Sequence, residues 1–266
     1  MVNKFINLNE TELDLPIYRY LTIPKLFSML SFGALWFPKL RILQDQFEGG
    51  LTVPTEVLMR QKNEEIKGFF NTPDAHQQID NWPNKNVEDG RELTLVNCWF
   101  LGPDESLAMW DEYVGSKTEG VAVKSTIGRL IQNVATMKEV SEIGKIKYVD
   151  FSKHEMGLYE AHQACERAFI KDLKYSHERE VRISTMSFKH PYCVDMKGRQ
   201  FTPEECSGKN MNNFDQDGLY ILINLSGLAS SIIMSPYSSD WCKNTVSRVL
   251  ELSKLNIPIE RSKLTL

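Results

Sequence analysis

Residues 17–38 read IYRYLTIPKLFSMLSFGALWFP, and they predict a strand, a helix and a second strand in succession. Residues 17–21 form a short aromatic and β-branched run, which is typical of a strand. Residues 25–32 carry apolar side chains at helical spacing, and Gly33 stands where a left-handed residue would end that helix. Residues 34–38 then predict the second strand, so a strand–helix–strand unit opens the fold.

Elements of both types follow along the rest of the chain. The further predicted helices cover residues 55–70, 105–113, 125–131, 159–171 and 239–252. The further predicted strands cover residues 93–100, 120–124, 143–149, 181–186, 219–225, 231–236 and 257–264. Because the spacings in the second half are compatible with hairpins, the sequence favours an α+β fold with mixed, largely antiparallel sheets flanked by helices over a doubly wound parallel fold.

Three segments interrupt this pattern. Residues 41–50 are typical of a loop, and residues 189–217 form a polar excursion. Residues 71–91 hold prolines, asparagines and a glycine, which predicts a long surface connection or a lid that borders the site. We interpret residues 1–266 as a single mixed α/β domain in which residues 71–91 are a mobile insertion.

Composition excludes several classes of protein. Of the 266 residues, 42% are hydrophobic and 25% are charged, as in an ordinary soluble globular protein. No apolar window approaches the ~20 residues of a membrane-spanning helix, and the first residues lack a signal-peptide pattern, so we expect a cytoplasmic protein with no membrane partner. A net charge of −4 gives no general attraction to nucleic acid. Rossmann, P-loop and α/β-hydrolase motifs are absent, and the five cysteines and five histidines lack metal-binding spacings, so we expect no metal site.

An acidic motif lies in residues 175–182, YSHEREVR. If the segment is extended, Glu178 and Glu180 share one face, and we expect Arg179 and Arg182 opposite them. Two converging carboxylates can hydrogen-bond a sugar hydroxyl, stabilise an oxocarbenium ion or activate a nucleophile. An exposed edge strand with cross-strand salt bridges is the alternative interpretation.

Aromatic side chains cluster in residues 97–100 and 105–113. Met109 and Tyr113 are four residues apart on the predicted helix, and Trp110 shares much of their face. Such an aromatic wall can stack on nicotinamide or on a base, and core packing is the alternative.

Two basic residues stand in apolar strands. Arg19 lies between two tyrosines and therefore needs a partner, which is either a phosphate or carboxylate of a ligand or the loop carboxylates of Asp45 and Glu48. Lys124 closes a strongly apolar strand, where ligand binding and simple exposure both remain open.

Together these residues resemble an uncharacterised bacterial family, a domain of unknown function, over about residues 17–264. The motifs that carry the resemblance are Tyr18-Arg19-Tyr20, Leu35-Trp36-Phe37, Asp45-Gln46-Phe47-Glu48, Cys98-Trp99, Met109-Trp110-Asp111-Glu112-Tyr113 and Glu178-Arg179-Glu180-Val181-Arg182. Gln46 stands where this family usually has proline, which alters the turn but leaves both carboxylates.

The opening unit and the Glu178-x-Glu180 pair are also similar to ADP-ribosyltransferase-like domains, which implies an ADP-ribosyltransferase-like fold with NAD as the substrate. This similarity implies that Arg19 holds the NAD phosphates or ribose and that Tyr113 or Trp110 stacks near nicotinamide. It further implies that Glu180 binds the ribose hydroxyl and that Glu178 polarises the acceptor.

The predicted site has a catalytic part and a cofactor-binding part. The catalytic residues are Glu180 and Glu178, and either Ser106 or Ser125 is expected as the serine of the middle motif. The predicted NAD-binding residues are Arg19, Tyr20, Trp99, Trp110, Tyr113, Lys124 and Arg182.

These features predict an NAD-dependent ADP-ribosyltransferase or NAD glycohydrolase with an unknown protein or nucleic-acid acceptor. A bacterial toxin or anti-phage effector restrained by an inhibitory partner protein fits that activity. One alternative is a non-enzymatic nucleic-acid- or protein-binding module whose phosphate cleft is formed by Arg19, Lys124, Arg179 and Arg182. Another is a metal-dependent nuclease or hydrolase that binds a divalent ion through Asp45, Glu48, Glu178 and Glu180.

Overall fold

The computed structural model describes residues 2–134, 141–186 and 217–264. The strands are β1 (Val2–Ile6), β2 (Pro16–Thr22), β3 (Ala34–Pro38), β4 (Thr94–Leu101), β5 (Gly120–Thr126), β6 (Ser141–Lys145), β7 (Lys147–Val149), β8 (Ile170–Asp172), β9 (Glu180–Met186), β10 (Gly218–Leu222), β11 (Ser231–Met234) and β12 (Ile259–Arg261). The α-helices are α1 (Ile23–Phe32), α2 (Val53–Lys67), α3 (Pro73–Leu93), α4 (Leu107–Tyr113), α5 (Ile127–Val134), α6 (Leu158–His162), α7 (Ala164–Arg167), α8 (Leu225–Leu228) and α9 (Asp240–Leu252). Short 3-10 turns cover Glu10–Glu12, Leu40–Ile42 and Leu173–Glu178.

Eight strands form one sheet in the order β1-β6-β9-β4-β2-β5-β11-β12. Neighbouring strands are antiparallel from β6 to β11, and the two parallel pairings, β1–β6 and β11–β12, lie at the ends. A second sheet pairs β3 with β10 in antiparallel orientation, and a third pairs β7 with β8 in parallel. This largely antiparallel architecture with flanking helices confirms the predicted α+β class, whereas its likeness to ADP-ribosyltransferases stays a prediction.

The opening strand–helix–strand unit forms as the sequence predicts, as β2, α1 and β3. Gly33 has a φ of 57°, and its N–H donates to the Leu30 carbonyl at 3.4 Å, which ends α1. Because glycine has no Cβ, this left-handed turn carries no steric cost and lets β3 start at once.

The two faces of the large sheet bury different sets of side chains. Helices α1, α5 and α9 cover one face, where Leu26, Leu130 and Val246 are fully buried. Helix α4 contributes to a smaller aromatic cluster, in which Trp110 and Tyr20 pack edge to face with centroids 4.8 Å apart. None of the helices in the described parts of the chain is long and apolar enough to cross a membrane.

The large sheet is split between β2 and β4. These strands pair at two positions, Ile17 with Leu101 and Tyr18 with Phe100. Beyond this point β2 stays paired with β5 as far as Thr22, while β4 pairs with β9 and makes one bridge to the residue after β3. The separation of β2 from β4 leaves room for a cavity beside the middle of the sheet.

The prediction of an irregular connection at residues 71–91 is wrong, because residues 73–91 lie in helix α3. Thr72 caps the helix by accepting the Ala75 N–H, and Pro73 suits the first turn. Pro83 cannot donate to the Ile79 carbonyl, but the Asn63 side chain of α2 donates to that carbonyl at 2.7 Å. A tertiary contact therefore replaces the hydrogen bond that the proline removes, whereas mobility of the segment stays a prediction.

The single helix predicted for residues 159–171 is also wrong. Gln163 is extended and separates α6 from α7, and β8 follows at Ile170. The fully buried Arg167 donates to the Ala161 carbonyl at 2.6 Å and to the Gly49 carbonyl at 2.8 Å. The Gly49 carbonyl is 118 positions away in the sequence, and the local and the long-range bond together stabilise the break.

Two further predictions differ from the structure or fall outside it. The strand predicted for residues 143–149 is divided between β6 and β7. Most of the polar excursion predicted for residues 189–217 lies outside the described residues.

Candidate functional site

A cavity of about 580 Å³ lies at the split in the large sheet. Strands β2, β4 and β9 contribute to its wall from the large sheet, and β3 and β10 contribute from the small one. The loop that follows β3 adds Asp45 and Glu48, and α4 adds Met109 and Tyr113. This volume is in the range of small-molecule sites. No side chain of residues 71–91 lines the cavity, so the prediction that they form a lid over it finds no support in this geometry.

Five buried charges form one cluster on the cavity wall. Arg182 holds Glu180 with Nε 2.6 Å from Oε1 and Nη2 3.0 Å from Oε2, and its Nη2 also binds Glu48. Lys171 Nζ lies 2.5 Å from Glu178 Oε2, 3.6 Å from Glu180 Oε2 and 4.0 Å from Glu48 Oε1. Each of these side chains is at least 90% buried, so the cluster excludes the exposed edge strand that we considered from the sequence.

The backbone around Arg179 brings the two glutamates together. Glu178 ends a 3-10 turn, Arg179 is left-handed with a φ of 41°, and Glu180 begins β9. The segment is therefore not extended throughout, and the prediction that Arg182 lies opposite Glu180 is wrong. Residues two apart on a strand share a face, which is why Arg182 can bind Glu180 directly.

The environment shifts the pKa values of the two glutamates in opposite directions. Burial opposes ionisation of Glu180, but Arg182 and Lys171 outweigh it and lower its pKa to about 2. Burial raises the pKa of Glu178 to about 7, against the opposing effect of Lys171. Three carboxylates and two cations leave one negative charge in the cluster, and a proton on Glu178 neutralises it. At neutral pH Glu180 thus stays a carboxylate, whereas Glu178 is a carboxyl group that exchanges its proton.

Glu178→Gln is expected to change how stability depends on pH. A carboxyl whose pKa rises on folding stabilises the folded state below its unfolded pKa, and this contribution is lost as pH rises to the folded pKa. Between pH 4.5 and pH 7 the wild type should therefore lose about 3 kcal/mol relative to Glu178→Gln. Chemical denaturation across this range measures the difference, and parallel curves for the two proteins would contradict the shift. The surface variant Glu160→Gln is the control.

Arg19 lines the cavity without a carboxylate partner. Its Nη1 donates to the Cys98 carbonyl at 3.0 Å, and its Nη2 approaches the Trp36 carbonyl at 3.4 Å. The sequence offered Asp45 and Glu48 as partners, but no carboxylate of the described residues pairs with Arg19. Burial lowers the pKa of Arg19, and three of its five N–H groups remain available for an anion.

The loop carboxylates have other roles. Glu48 belongs to the buried charge cluster, through Arg182 and Lys171. Asp45 accepts the Phe47 N–H at 3.0 Å and shapes the turn that carries Glu48.

The predicted aromatic residues divide between the cavity and the core. Tyr113 is 39% exposed and lines the cavity with Tyr20, whose hydroxyl accepts the Ser106 N–H at 2.8 Å. Trp99 touches the cavity but is 1% exposed, and its Nε1 donates to Asn97. Trp110 does not line the cavity, because it is fully buried and donates to Glu105. Of the two rings predicted to stack near nicotinamide, Tyr113 lines the cavity and Trp110 does not.

Lys124 and the two candidate serines lie away from the cavity. Lys124 lines a separate pocket of about 320 Å³, and its Nζ lies 5.9 Å from the Tyr18 ring centroid. Ser125 is buried and donates to the Leu228 carbonyl at 2.7 Å, while Ser106 precedes α4. Neither serine lines the cavity, so the structure assigns no middle-motif serine to it.

The structure does not assemble the residues proposed for either alternative site as a vacant group. The four cations proposed for a phosphate cleft are separated, because Lys124 faces another pocket and Arg182 is bound by Glu180 and Glu48. The four carboxylates proposed for a metal are not a vacant ligand set, because Lys171 and Arg182 occupy the space between three of them.

Glu112, His177 and Glu178 also come close, with donor atoms within 4.8 Å of one another. His177 and Glu112 already hydrogen-bond at 3.1 Å, and Glu178 binds Lys171. We therefore interpret this group as a surface pair beside a buried ion pair.

Sequence reasoning missed several residues of the cavity. Lys171 is the last residue of the helix predicted for residues 159–171, and no sequence pattern there indicates that its side chain is buried. Trp36 and Tyr220 line the cavity with ring centroids 4.8 Å apart, but they meet through the pairing of β3 with β10, which no local pattern predicts. Cys98 also lines the cavity, and burial raises the pKa of its thiol, which disfavours the thiolate.

Comparison with models of known protein families, with functionally characterised proteins and with solved structures finds no match. The resemblance to an uncharacterised bacterial family and the similarity to ADP-ribosyltransferases therefore stay predictions from the sequence.

Proposed function

We propose that the cavity binds NAD and that the protein breaks its N-glycosidic bond, transferring ADP-ribose to water or to an acceptor. The observation that carries the proposal is that Arg19, Glu178 and Glu180 line one cavity although they come from distant parts of the chain. NAD has the matching groups: a diphosphate, two riboses and two planar rings. Arg19 supplies donors for phosphate, and Tyr113, Trp36 and Tyr220 supply aromatic surface.

The reaction needs a carboxylate that stays ionised near the ribose. As the bond from ribose C1′ to the nicotinamide nitrogen breaks, its electron pair leaves with nicotinamide and positive charge develops on the sugar. Glu180 is ionised at any physiological pH, and its oxygens can accept a ribose hydroxyl besides the Arg182 donors. A fixed charge in a water-poor site stabilises such a transition state.

Glu178 is suited to the role of general base. The acceptor hydroxyl or water forms the new bond to C1′ and gives its proton to the Glu178 carboxylate. A base with a pKa near the working pH combines a useful ionised fraction with a favourable proton transfer. Turnover should therefore rise with pH up to about pH 7 and then level off.

An activity of this kind sets the biological context of the proposal. An enzyme that consumes NAD in the cytoplasm would damage the cell that holds it. The proposal therefore includes toxin or anti-phage activity, an inhibitory partner protein and an acceptor that is a protein or a nucleic acid.

Incubation of the wild type with NAD tests the function directly. We expect release of nicotinamide together with ADP-ribose, or with ADP-ribosylated protein or RNA when either is added. We also expect Arg19→Gln to raise the KM for NAD at least tenfold, because the cavity loses its guanidinium, while the exposed Arg248→Gln control leaves KM unchanged. If the wild type releases no nicotinamide and NAD does not raise its thermal midpoint, the proposed function is wrong.

A further inference from the structure

We propose that Lys171 is a positioning residue that sets the pH range in which Glu178 exchanges its proton. The role in catalysis rests on the proposed function, whereas the effect of Lys171 on Glu178 stands on the geometry of the cluster. Lys171 is the middle residue of β8, opposite Tyr148 of β7, and it is 5% exposed. Its position follows from the short parallel pair that the sequence did not predict.

The three carboxylates around Lys171 do not have equal partners. Glu180 and Glu48 each contact Arg182 as well as Lys171. Glu178 has Lys171 as its one cationic partner within the described part of the chain, at 2.5 Å. Because a proton binds most readily to the carboxylate with the least cationic support, this asymmetry directs the proton of the cluster to Glu178.

The surroundings of Lys171 add no second cation for Glu178. The ammonium group lies 4.7 Å from the centroid of the Tyr175 ring, and the Lys174 ammonium lies 4.9 Å from the same centroid. The backbone N–H of Glu180 donates to the Tyr148 hydroxyl oxygen at 2.9 Å. The titratable and charged groups around this cluster are Glu48, Cys98, Glu112, Tyr113, Tyr148, Lys174, Tyr175, His177, Glu178, Glu180 and Arg182.

The net charge of the cluster predicts how the effect of replacing Lys171 depends on the charge of Glu178. With Lys171 replaced by methionine, the three carboxylates face Arg182 alone, and the net charge of the cluster falls from −1 to −2. With Glu178 also replaced by glutamine, the net charge returns to −1. Replacing Lys171 should therefore destabilise the protein less when Glu178 is already neutral.

A double-mutant cycle measured at two pH values tests this dependence without any ligand. The proteins are the wild type, Lys171→Met, Glu178→Gln and the double variant, and the readout is the thermal midpoint at pH 5 and pH 8. At pH 8 we expect Lys171→Met to lower the midpoint at least twice as much in the wild type as in Glu178→Gln. At pH 5, where Glu178 holds its proton, the two losses should converge. Lys145→Met, which removes a partly exposed lysine paired with Glu12, should show no such pH dependence.

Other outcomes overturn the proposal. Equal losses in both backgrounds at both pH values would show that Lys171 contributes packing and does not stabilise the ionised form of Glu178. If Lys171→Met does not fold at pH 8, the double variant must still fold there, and its failure to do so contradicts the proposal as well.

The catalytic part of the proposal has its own measurement. If the wild type releases nicotinamide, Lys171→Met should move the midpoint of the pH–kcat profile upward by one unit or more, because Glu178 loses its cation. An unmoved profile would overturn the catalytic role. A wild type without activity refutes the proposed function, while the stability cycle still tests the effect of Lys171 on Glu178.

Discussion

Replacement of Arg182 by methionine is expected to destabilise the protein by about 3–5 kcal/mol, the range for breaking a buried ion pair by removing one partner. Arg182 is 1% exposed, binds Glu180 through two nitrogens and also binds Glu48. It further donates to the Ala168 carbonyl at 2.6 Å, which joins β9 to the chain before β8. Its removal leaves two buried carboxylates supported by Lys171 alone.

Equilibrium denaturation at pH 7 measures this loss. The exposed Arg248→Met is the matched control, and we expect it to change stability by less than about 0.5 kcal/mol. Lowering the pH toward 5 should reduce the deficit of Arg182→Met, because protonation relieves the unpaired carboxylates. A deficit below about 1 kcal/mol at pH 7 would mean that the buried network contributes little to the fold.

Replacement of Glu180 by glutamine is expected to lower the rate of nicotinamide release by about 10² or more, the scale for loss of one electrostatic stabiliser. Glutamine keeps the size of the side chain but removes the charge that the proposed function places beside the ribose. Arg182 retains Glu48, so the fold should survive with a loss of about 1–3 kcal/mol. Single-turnover rates with saturating NAD give the effect on the chemical step.

The matched control for Glu180→Gln is Glu160→Gln, at a partly exposed ion pair with Lys147. It should leave both the rate and the stability within measurement error. If Glu180→Gln loses stability but keeps the wild-type rate, Glu180 is a structural partner of Arg182 and has no role in the reaction.

Short-range signals explain which parts of the fold could be predicted. The unit β2–α1–β3 depends on a β-branched run, helical spacing and Gly33, all of which lie within one segment. The sequence did not predict helix α3, because the Ile79 carbonyl that Pro83 leaves without a donor is satisfied by the side chain of Asn63 on α2. A contact between separate helices cannot be seen in a local pattern.

The residues of the candidate site could also be predicted only in part. Arg19 could be selected from the sequence because a charge in an apolar strand needs a partner, and Glu178 and Glu180 because two carboxylates two residues apart can act together. Their actual partners depend on distant elements: Glu48 reaches Arg182 from 134 positions away, and the Cys98 carbonyl reaches Arg19 from 79 positions away. The central role of Lys171 depends on the pairing of β8 with β7, which the interpretation of residues 159–171 as helix concealed.

The early separation of β2 from β4 gives the protein a strand edge in its interior. Free strand edges on a protein surface attract other chains and promote aggregation. Here β3 and β10 contribute to the cavity wall at the split, and the Arg19 guanidinium donates a hydrogen bond to the Cys98 carbonyl. The edge is therefore screened from an intruding polypeptide strand but remains within reach of a molecule small enough to enter the cavity.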